Sequence, residues 1–348
     1  MSYTNGLDKP SDYFNTVLYT GNGGTQSITS LDFAPNWVWI KSRSTVRNNV
    51  LNDTVRGATK NLFSNTTGAE ATDTETLTSF NSDGFTLGDS AKVNENGTTF
   101  ASWNWKAGTS FTNDASATGI GSIDSTGSVN QDAGFSICSY TGTGSAGTIK
   151  HGLNSTPSAI ILKNRIDGSV FWYVYHKSLG NNSEMYLNAT DAAPGSTGAW
   201  NTTSPTSSVF SVGSHGGTNA SGQAIIAYCF AEKQGYSKFG SYSANNSSNG
   251  TYIHLGFKPA LFICKKSSGT ETWHIHDNKR SPFNVSSAEL YASENQAEDT
   301  NARLDLLSNG VKMRTDGGGY NTGSETYIYM AFAESPFVSS TGVPATAR

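Results

Sequence analysis

The chain has 348 residues, of which 35% are hydrophobic and only 14% are charged, and its 23 basic and 27 acidic residues leave a formal net charge of −4. This balance gives no basic surface for a phosphate backbone, so nucleic acid is not an expected partner. No apolar run approaches the roughly 18 residues that a membrane-spanning helix needs, and the first residues, MSYTNG, predict no signal peptide. The length is sufficient for two or three domains, each with its own core.

A short apolar strand occurs three times along the chain. Each copy is preceded by a proline and ends in a lysine, and we name these copies the spine strands. Proline lacks an N–H and suits the first residue of a strand, and a near-continuous apolar run indicates a strand covered on both faces. The spine strands are residues 36–41 (NWVWIK), 158–163 (SAIILK) and 260–265 (ALFICK).

Two further landmarks recur in a fixed order around the spine strands. An aromatic residue and a turn come before each of them, at Tyr19, Tyr140 and Tyr242. An alternating apolar strand closes each unit, at 100–106, 225–232 and 327–334. The second and third spine lysines are 102 positions apart, whereas the first and second are 122 apart. The excess lies within residues 107–133, where Gly, Ser, Thr and Asp predict a linker that could include one short strand.

These patterns predict an all-β protein of three tandem β-sandwich or jelly-roll-like repeats of about 100 residues each. Repeat 1 is expected at 1–108, a Gly/Ser/Thr-rich linker at 109–132, repeat 2 at 133–234, and repeat 3 with a C-terminal tail at 235–348. Asp83-Gly84 and Asn309-Gly310 accept the positive φ values of tight turns, so each predicts a hairpin.

The sequence contains no motif of a hydrolase or metalloenzyme, and we predict neither an enzyme nor a cofactor. Residues 142–147 match the dinucleotide pattern G-x-G-x-x-G, but they lead into another strand rather than a helix, so they predict a turn. Cys138, Cys229 and Cys264 are odd in number and lie in apolar surroundings, which predicts free buried thiols.

His274 and His276 are the weak candidates for a metal site. Two residues apart on a strand, they share one face at a usable spacing for a metal ion. The favoured interpretation is a polar, half-exposed strand face, and no metal is predicted.

Trp200 is a candidate sugar contact because it stands alone in a polar loop. An exposed indole flanked by amides and hydroxyls can stack on a sugar ring, but the favoured interpretation is that the residue caps one end of a sandwich. Recognition is expected in the polar segments after the spine lysines, where the copies differ most. The other candidate glycan or receptor contacts are His176, Lys177, Asp53, Arg56, Asp277, Lys279 and Arg280.

The chain is similar to the three-repeat β domain found in structural and tail-fibre-associated proteins of tailed bacteriophages, particularly marine ones. The stretches that carry the resemblance are 37–41 (WVWIK), 53–60 (DTVRGATK), 80–85 (FNSDGF), 228–232 (YCFAE), 236–242 (YSKFGSY), 327–334 (YIYMAFAE) and 344–348 (PATAR). The resemblance covers nearly the whole chain and supplies no catalytic residues.

What the resemblance implies is a structural protein on the virion surface, assembled in the host cytoplasm beside other virion proteins. It implies a tail-fibre or adsorption component that recognises a host-surface glycan or protein, and a homotrimer with cyclic symmetry. Two alternatives stay open at this point: a capsid-decorating or head-fibre protein without a receptor role, and a glycan-cleaving depolymerase.

Overall fold

The computed structural model describes residues 7–195 and 198–338, and it consists almost wholly of strands in antiparallel sheets. The predicted all-β class is confirmed. The helices in the described part are single turns, and none of them is long or apolar enough to cross a membrane. The C-terminal stretch 344–348 lies outside the described residues. We refer to residues 7–108, 109–234 and 235–338 as the first, second and third segments.

The first segment begins with a 3-10 turn, Pro10–Asp12, and contains nine strands and one helical turn. The strands are β1 (Phe14–Thr20), β2 (Gln26–Ile28), β3 (Trp37–Ser42), β4 (Val50–Asp53), β5 (Lys60–Phe63), β6 (Ala71–Thr72), β7 (Leu77–Asn81), β8 (Gly84–Leu87) and β9 (Thr99–Trp105), with α1 (Ala91–Asn94) before β9. The main sheet has the order β1-β9-β3-β4-β5-β6, and a smaller sheet has the order β2-β8-β7.

The second segment contains nine strands and two helical turns. The strands are β10 (Thr109–Asn113), β11 (Ser125–Asn130), β12 (Phe135–Thr141), β13 (Gly147–Lys150), β14 (Ala159–Asn164), β15 (Trp172–His176), β16 (Met185–Tyr186), β17 (Val209–Val212) and β18 (Ala224–Phe230), with α2 (Ala115–Thr118) and α3 (Gly216–Asn219). The main sheet has the order β10-β11-β12-β18-β14-β15-β16, and β13 pairs with β17 in a smaller sheet.

The third segment contains eight strands and one helical turn. The strands are β19 (Ser237–Ser243), β20 (Tyr252–His254), β21 (Phe257–Lys266), β22 (His274–Asp277), β23 (Ser286–Tyr291), β24 (Asp299–Leu307), β25 (Gly310–Met313) and β26 (Thr326–Pro336), with α4 (Gly318–Asn321). They form one sheet in the order β19-β26-β21-β22-β23-β24-β25-β20.

The spine strands occupy the same place in all three sheets. β3, β14 and β21 each lie between the closing strand of their segment and the next strand along the chain. Every residue of β3 and β14 is buried, and so are residues 259–265 of β21, which confirms the predicted coverage on both faces. The existence of three copies of one unit stays a prediction, which the shared strand order supports.

The register of these strands defines corresponding positions in the three segments. Trp37 pairs with Trp105, Ala159 with Phe230, and Leu261 with Phe332. We use the word corresponding for residues related by this register.

Residues 109–132 do not form the linker that their composition predicts. They form β10, α2 and β11, and the two strands extend the second sheet beyond β12. The prediction was wrong because hydroxyl-bearing side chains are tolerated in β10, the edge strand, and in β11 beside it, so the apolar alternation that marks a half-buried strand is weak in both.

One face of each main sheet packs into a shared central core, because one buried cluster contains apolar residues from all three segments. The closing residues Trp105, Phe230 and Phe332 contact one another there, with ring centroids 5.6, 5.7 and 6.4 Å apart. The opposite face of each sheet packs on a separate cluster within its own segment. Each segment is thus sandwich-like, with one layer turned toward the other two segments.

Several local predictions are confirmed. Asn81 pairs with Gly84, and Leu307 pairs with Gly310, so the two predicted hairpins form. The three cysteines are free and buried. The turn at residues 142–146 leads into β13 rather than a helix, as the sequence predicts.

We call the boundaries between segments seams. At each seam, a spine lysine of one segment donates a hydrogen bond to the neighbouring segment. All three ammonium groups are buried and donate to backbone carbonyl oxygens, and none lies within ion-pair distance of a carboxylate in the described part of the chain. Across the seams, the acceptors are Asn295 O for Lys41 (3.3 Å), Thr67 O for Lys163 (2.7 Å) and Asp191 O for Lys265 (3.0 Å).

We expect the three spine lysines to raise the free energy of unfolding between pH 8 and about 9.5. Burial lowers the pKa of all three lysines from 10.5 to about 8. The unfolded chain therefore holds more lysine protons than the folded chain in this window, and each lysine adds on the order of 1 kcal/mol of stability as the pH rises. The buried cysteines, whose pKa values burial raises, act in the opposite direction, so the lysine contribution is measured as a difference between two proteins. In urea unfolding, the parent should gain about 1 kcal/mol of stability relative to Lys41→Met between pH 8 and about 9.5, and a constant difference would contradict the expectation.

Candidate functional site

A cleft lined mainly by polar residues lies on the extension that β10 and β11 add to the second sheet. It has a volume of about 490 Å³ and is lined by residues of β10, β11, β12 and the loops beside them. In the first and third sheets, β1 and β19 take the position that β12 has in the second sheet. Both are edge strands, so no strand extends those two sheets further. The cleft is therefore a product of the extra residues of the second segment.

A row of hydroxyl groups crosses the floor of this cleft. Thr112 of β10 pairs with Thr126 of β11, which pairs with Ser139 of β12, so the three side chains share one face of the sheet. The two threonines are exposed and the serine is half-buried. Since neighbouring strands lie about 4.8 Å apart, the row spans roughly 10 Å.

Two carboxylates stand at one end of the row, and both are fixed by the α2 turn. Asp114 Oδ1 accepts from Ala117 N (3.0 Å) and Ser116 Oγ (2.7 Å), and these hydrogen bonds lower the pKa of Asp114. Asp124 Oδ1 accepts from Ala115 N (2.8 Å). Both side chains are exposed, so their carboxylates can also accept hydrogen bonds from a ligand.

Arg165 lines the same cleft and is held in place from the first segment. Its Nε and Nη2 atoms donate to the two oxygens of Glu70, at 2.8 and 2.9 Å. Burial would raise the pKa of Glu70, but the hydrogen bonds and charges of Arg165 and Arg56 hold it below its usual value. The guanidinium is thus oriented by a bidentate ion pair, which restricts its motion more than a single bond would.

Chemically, the cleft suits a neutral ligand with many hydroxyl groups. Hydroxyl side chains donate and accept hydrogen bonds, carboxylates accept them, and Arg165 donates them, so each hydroxyl of a sugar can find a partner. A glycosidase would instead need a carboxylic acid with a raised pKa beside a second carboxylate. The lowered pKa of Asp114 fits binding better than acid catalysis.

Trp200 does not lie on the surface as predicted. Its side chain is 2% exposed and packs edge-on against Tyr175, with ring centroids 5.8 Å apart, in the outer core of the second segment. The exposed-indole prediction was wrong because the loop folds back over the sheet, so that burying this large apolar ring outweighs leaving it in water. The favoured interpretation, a residue that caps one end of the sandwich, agrees with this burial.

His176 and Lys177 have separate roles at the seam between the second and third segments. His176 is buried, its Nε2 atom donates to Tyr329 O (3.1 Å), and burial lowers its pKa to about 4. The imidazole is therefore neutral at physiological pH and does not face a ligand. Lys177 is exposed and pairs with Glu232 at 2.5 Å.

Asp53 and Arg56 form a buried ion pair instead of a surface contact. Both side chains are fully buried, with Nε and Oδ2 2.5 Å apart, and the hydroxyl of Tyr228 from the second segment donates to the same Oδ2 atom at 2.7 Å. The spacing of three residues allows the pair to form locally. Nothing in the sequence predicts that Tyr228 contacts this ion pair.

Asp277 and Arg280 repeat this arrangement at the seam between the third and first segments. Their Nε and Oδ2 atoms are also 2.5 Å apart, and Trp103 Nε1 of the first segment donates to Asp277 Oδ2 at 3.0 Å. Lys279, between them, is exposed. Of the eight predicted contact residues, only Lys177 and Lys279 therefore lie on the surface, and neither lines the cleft of the second sheet.

His274 and His276 share one strand face, but that face is buried. His276 Nε2 lies 2.6 Å from the Tyr320 hydroxyl, and His274 Nδ1 is hydrogen-bonded to Glu289, which the Tyr320 hydroxyl also contacts at 2.5 Å. The prediction of a half-exposed face is thus wrong, because the side of the sheet that carries both histidines packs against the α4 turn. No group of three or more metal-ligating side chains (His, Cys, Asp, Glu) was found within 7–195 and 198–338.

The hydroxyl row was missed because nothing in the local sequence sets Thr112, Thr126 and Ser139 apart from other polar residues. The available signal was the extra length between the first and second copies, at residues 107–133, which contains Thr112 and Thr126. We expected recognition in the polar segments after the spine lysines. Arg165 lies in the segment after the second of these lysines, and it lines the cleft.

Comparison with known proteins identifies the family of this chain. No curated protein matches the chain. The family model described as a domain of unknown function, DUF7483, matches residues 9–336, which is nearly the whole chain. The protein therefore belongs to the DUF7483 family.

Proposed function

We propose that the protein is a structural component of a bacteriophage particle, exposed on its surface, that acts in adsorption by binding a host-surface glycan. The phage assignment is supported by the sequence resemblance, and the binding role is supported by the cleft of the second sheet. It acts as a binding protein without catalysing a reaction.

The observation that carries the binding role is the hydroxyl row with its fixed charged neighbours. Thr112, Thr126 and Ser139 are aligned by strand pairing, and Asp114 and Arg165 are each held by two hydrogen bonds. Groups that are already oriented lose little conformational entropy when a ligand binds. A polar cleft of this kind favours a sugar over an apolar ligand.

Filling the cleft should abolish glycan binding. Thr126 is exposed in the middle of the row, so Thr126→Trp places a large ring across the floor without disturbing the buried core. We expect at least a tenfold loss of affinity, measured on an array of bacterial surface polysaccharides. Ser241→Trp is the matched control, since Ser241 is exposed and corresponds to Ser139 in the third segment. Binding that survives Thr126→Trp, or a parent protein that binds no glycan on the array, would refute the role.

The position on the particle and the oligomeric state belong to the same proposal. We propose a tail-associated homotrimer that contacts other virion proteins. One chain already buries its central core among its own three segments, so a trimer would form through outer surfaces. Immunogold labelling of particles and light scattering of the purified protein test these points, and gold on the capsid or a monomeric mass at micromolar concentration would overturn them.

A further inference from the structure

A further cleft adjoins the cleft of the second sheet and shares part of its lining. Its volume is about 420 Å³, and we name it the adjoining cleft. Asp124 and Thr141 line both clefts, so the two clefts form one continuous groove. The other residues that line the adjoining cleft are Ser122, Ile123, Gly142 and Thr143.

The groove follows β11 and β12 toward the end of β12. Ser125 pairs with Tyr140, so the next step of this register places Asp124 opposite Thr141. Thr141 lies two positions after Ser139 on β12, and its side chain therefore continues the hydroxyl row along the same face of the strand. The row spans roughly 10 Å across the strands and adds about 7 Å along β12, which is longer than one sugar ring.

The hydroxyl groups of this row are available to a ligand. Thr112, Thr126 and Thr141 are exposed, and Ser139 is half-buried. None of their four hydroxyl groups is hydrogen-bonded to another group in the described part of the chain. A free hydroxyl group can donate one hydrogen bond and accept others. Such a row matches a ligand that carries hydroxyl groups along its length.

Both walls of the adjoining cleft are held by hydrogen bonds of backbone N–H groups. On one side, Ser122 N and Ile123 N donate to Thr148 O, at 2.9 and 3.1 Å. On the other side, Thr143 N donates to Asn219 Oδ1 at 2.8 Å. A cleft with fixed walls loses little conformational entropy when a ligand binds.

The first and third segments have only one of these two walls. Asn22 N, Thr143 N and Asn245 N each donate to the side chain of an asparagine, so the three residues correspond. The opposite wall, at residues 122–124, belongs to the extra length of the second segment. In the described part of the chain, the first and third sheets have no strand at the place of β11. The groove is therefore specific to the second segment.

The groove carries an unbalanced negative charge. The charge of Arg165 is neutralised by its ion pair with Glu70. Asp114 and Asp124 form no ion pair with a basic side chain in the described part of the chain. Because like charges repel, the groove disfavours a glycan with carboxylate groups and suits one without them.

We propose that the groove binds a linear oligosaccharide that is longer than one sugar unit and free of acidic groups. One unit lies over Thr112 and Thr126 in the cleft of the second sheet. A later unit contacts Asp124 and Thr141, and the chain continues past Thr143 in the adjoining cleft. This inference rests on the proposed glycan-binding role and specifies the length and the charge of the ligand.

The affinity should therefore rise with the length of the glycan. The probes are the methyl glycosides of glucose, galactose and N-acetylglucosamine and a linear tetrasaccharide of each sugar, with binding to the full chain followed by NMR titration. We expect at least one tetrasaccharide to bind about tenfold more tightly than its monosaccharide, because it makes additional hydrogen bonds. Tetragalacturonate should bind about tenfold more weakly than the best uncharged tetrasaccharide.

Three variants locate the additional contacts. Thr143→Trp fills the adjoining cleft and should remove most of the difference in affinity between the tetrasaccharide and the monosaccharide. Asn245→Trp, at the corresponding exposed position of the third segment, is the matched control and should bind like the parent. Thr141→Val removes one free hydroxyl group at nearly constant shape and should also weaken tetrasaccharide binding, which tests the site if Thr143→Trp fails to fold.

The outcomes separate this inference from the proposed function. Equal affinity for monosaccharides and tetrasaccharides, or unchanged tetrasaccharide binding in Thr143→Trp and Thr141→Val, would overturn the inference and leave the glycan-binding role intact. Tighter binding of tetragalacturonate than of the uncharged tetrasaccharides would do the same. Absence of binding by every uncharged probe would also overturn the inference, whereas the polysaccharide array decides the glycan-binding role.

Discussion

Replacing Asp277 by alanine should reduce the free energy of unfolding by about 3 kcal/mol, because the buried Arg280 guanidinium loses its fully buried counter-ion and keeps only Glu298, 3.1 Å away. Both side chains are fully buried. Asp277 also accepts hydrogen bonds from Arg280 N (2.8 Å) and from Trp103 Nε1 across the seam (3.0 Å). Burial would raise the pKa of Asp277, but the charge and hydrogen bonds of Arg280 hold it below its usual value, so the carboxylate is ionised at neutral pH. Urea unfolding of the variant measures the loss.

The second segment provides the matched control for this experiment. At the corresponding positions it carries His176 and Leu179, a neutral pair that is compatible with the same backbone. The double variant Asp277→His/Arg280→Leu should therefore lose much less stability than Asp277→Ala, since it removes both charges together. If the single variant costs under about 1 kcal/mol, or the double variant costs as much as the single one, the ion pair does not stabilise the seam as we infer.

Trp39→Asp should prevent the first segment from folding. Trp39 lies in the middle of β3, is 1% exposed, and packs against Trp103 in the central core with ring centroids 5.9 Å apart. Loss of a buried tryptophan costs about 3–5 kcal/mol, and an unpaired carboxylate in its place costs several more. The total is comparable to the whole stability of a typical protein. The yield of folded protein and its circular dichroism spectrum report the result.

Trp39→Phe separates the effect of burial from that of the indole hydrogen bond. This variant keeps an aromatic ring in the core and loses the bond from Trp39 Nε1 to Asn49 Oδ1, which is 3.0 Å long. We expect it to fold and to lose only about 1–3 kcal/mol. Normal folding of Trp39→Asp would mean that this spine strand is not buried as the structure places it.

Features set by short-range chemistry could be predicted from the sequence. The spine strands follow from proline entry and apolar runs, and the hairpins at Gly84 and Gly310 follow from turn residues with positive-φ tolerance. The free thiols follow from the apolar surroundings of the three cysteines. In each case the neighbours that decide the conformation lie within a few positions along the chain.

Features of the candidate sites could not be predicted in this way. Asp53 and Arg56 are close in sequence, but their burial depends on Tyr228, 175 positions away. Trp200 has a polar local sequence and is nonetheless buried against Tyr175. Polar composition indicates that a segment tolerates water, and it does not say whether another part of the chain will cover it.

The sequence by itself determined the all-β class, the spine strands and their order, because alternating apolar residues, prolines and turn residues restrict the backbone locally. Only the tertiary structure decided that residues 109–132 extend a sheet, that the three sheets share one core, and where the clefts lie. The physical reason is that each cleft depends on what a side chain meets across a seam or a strand pair.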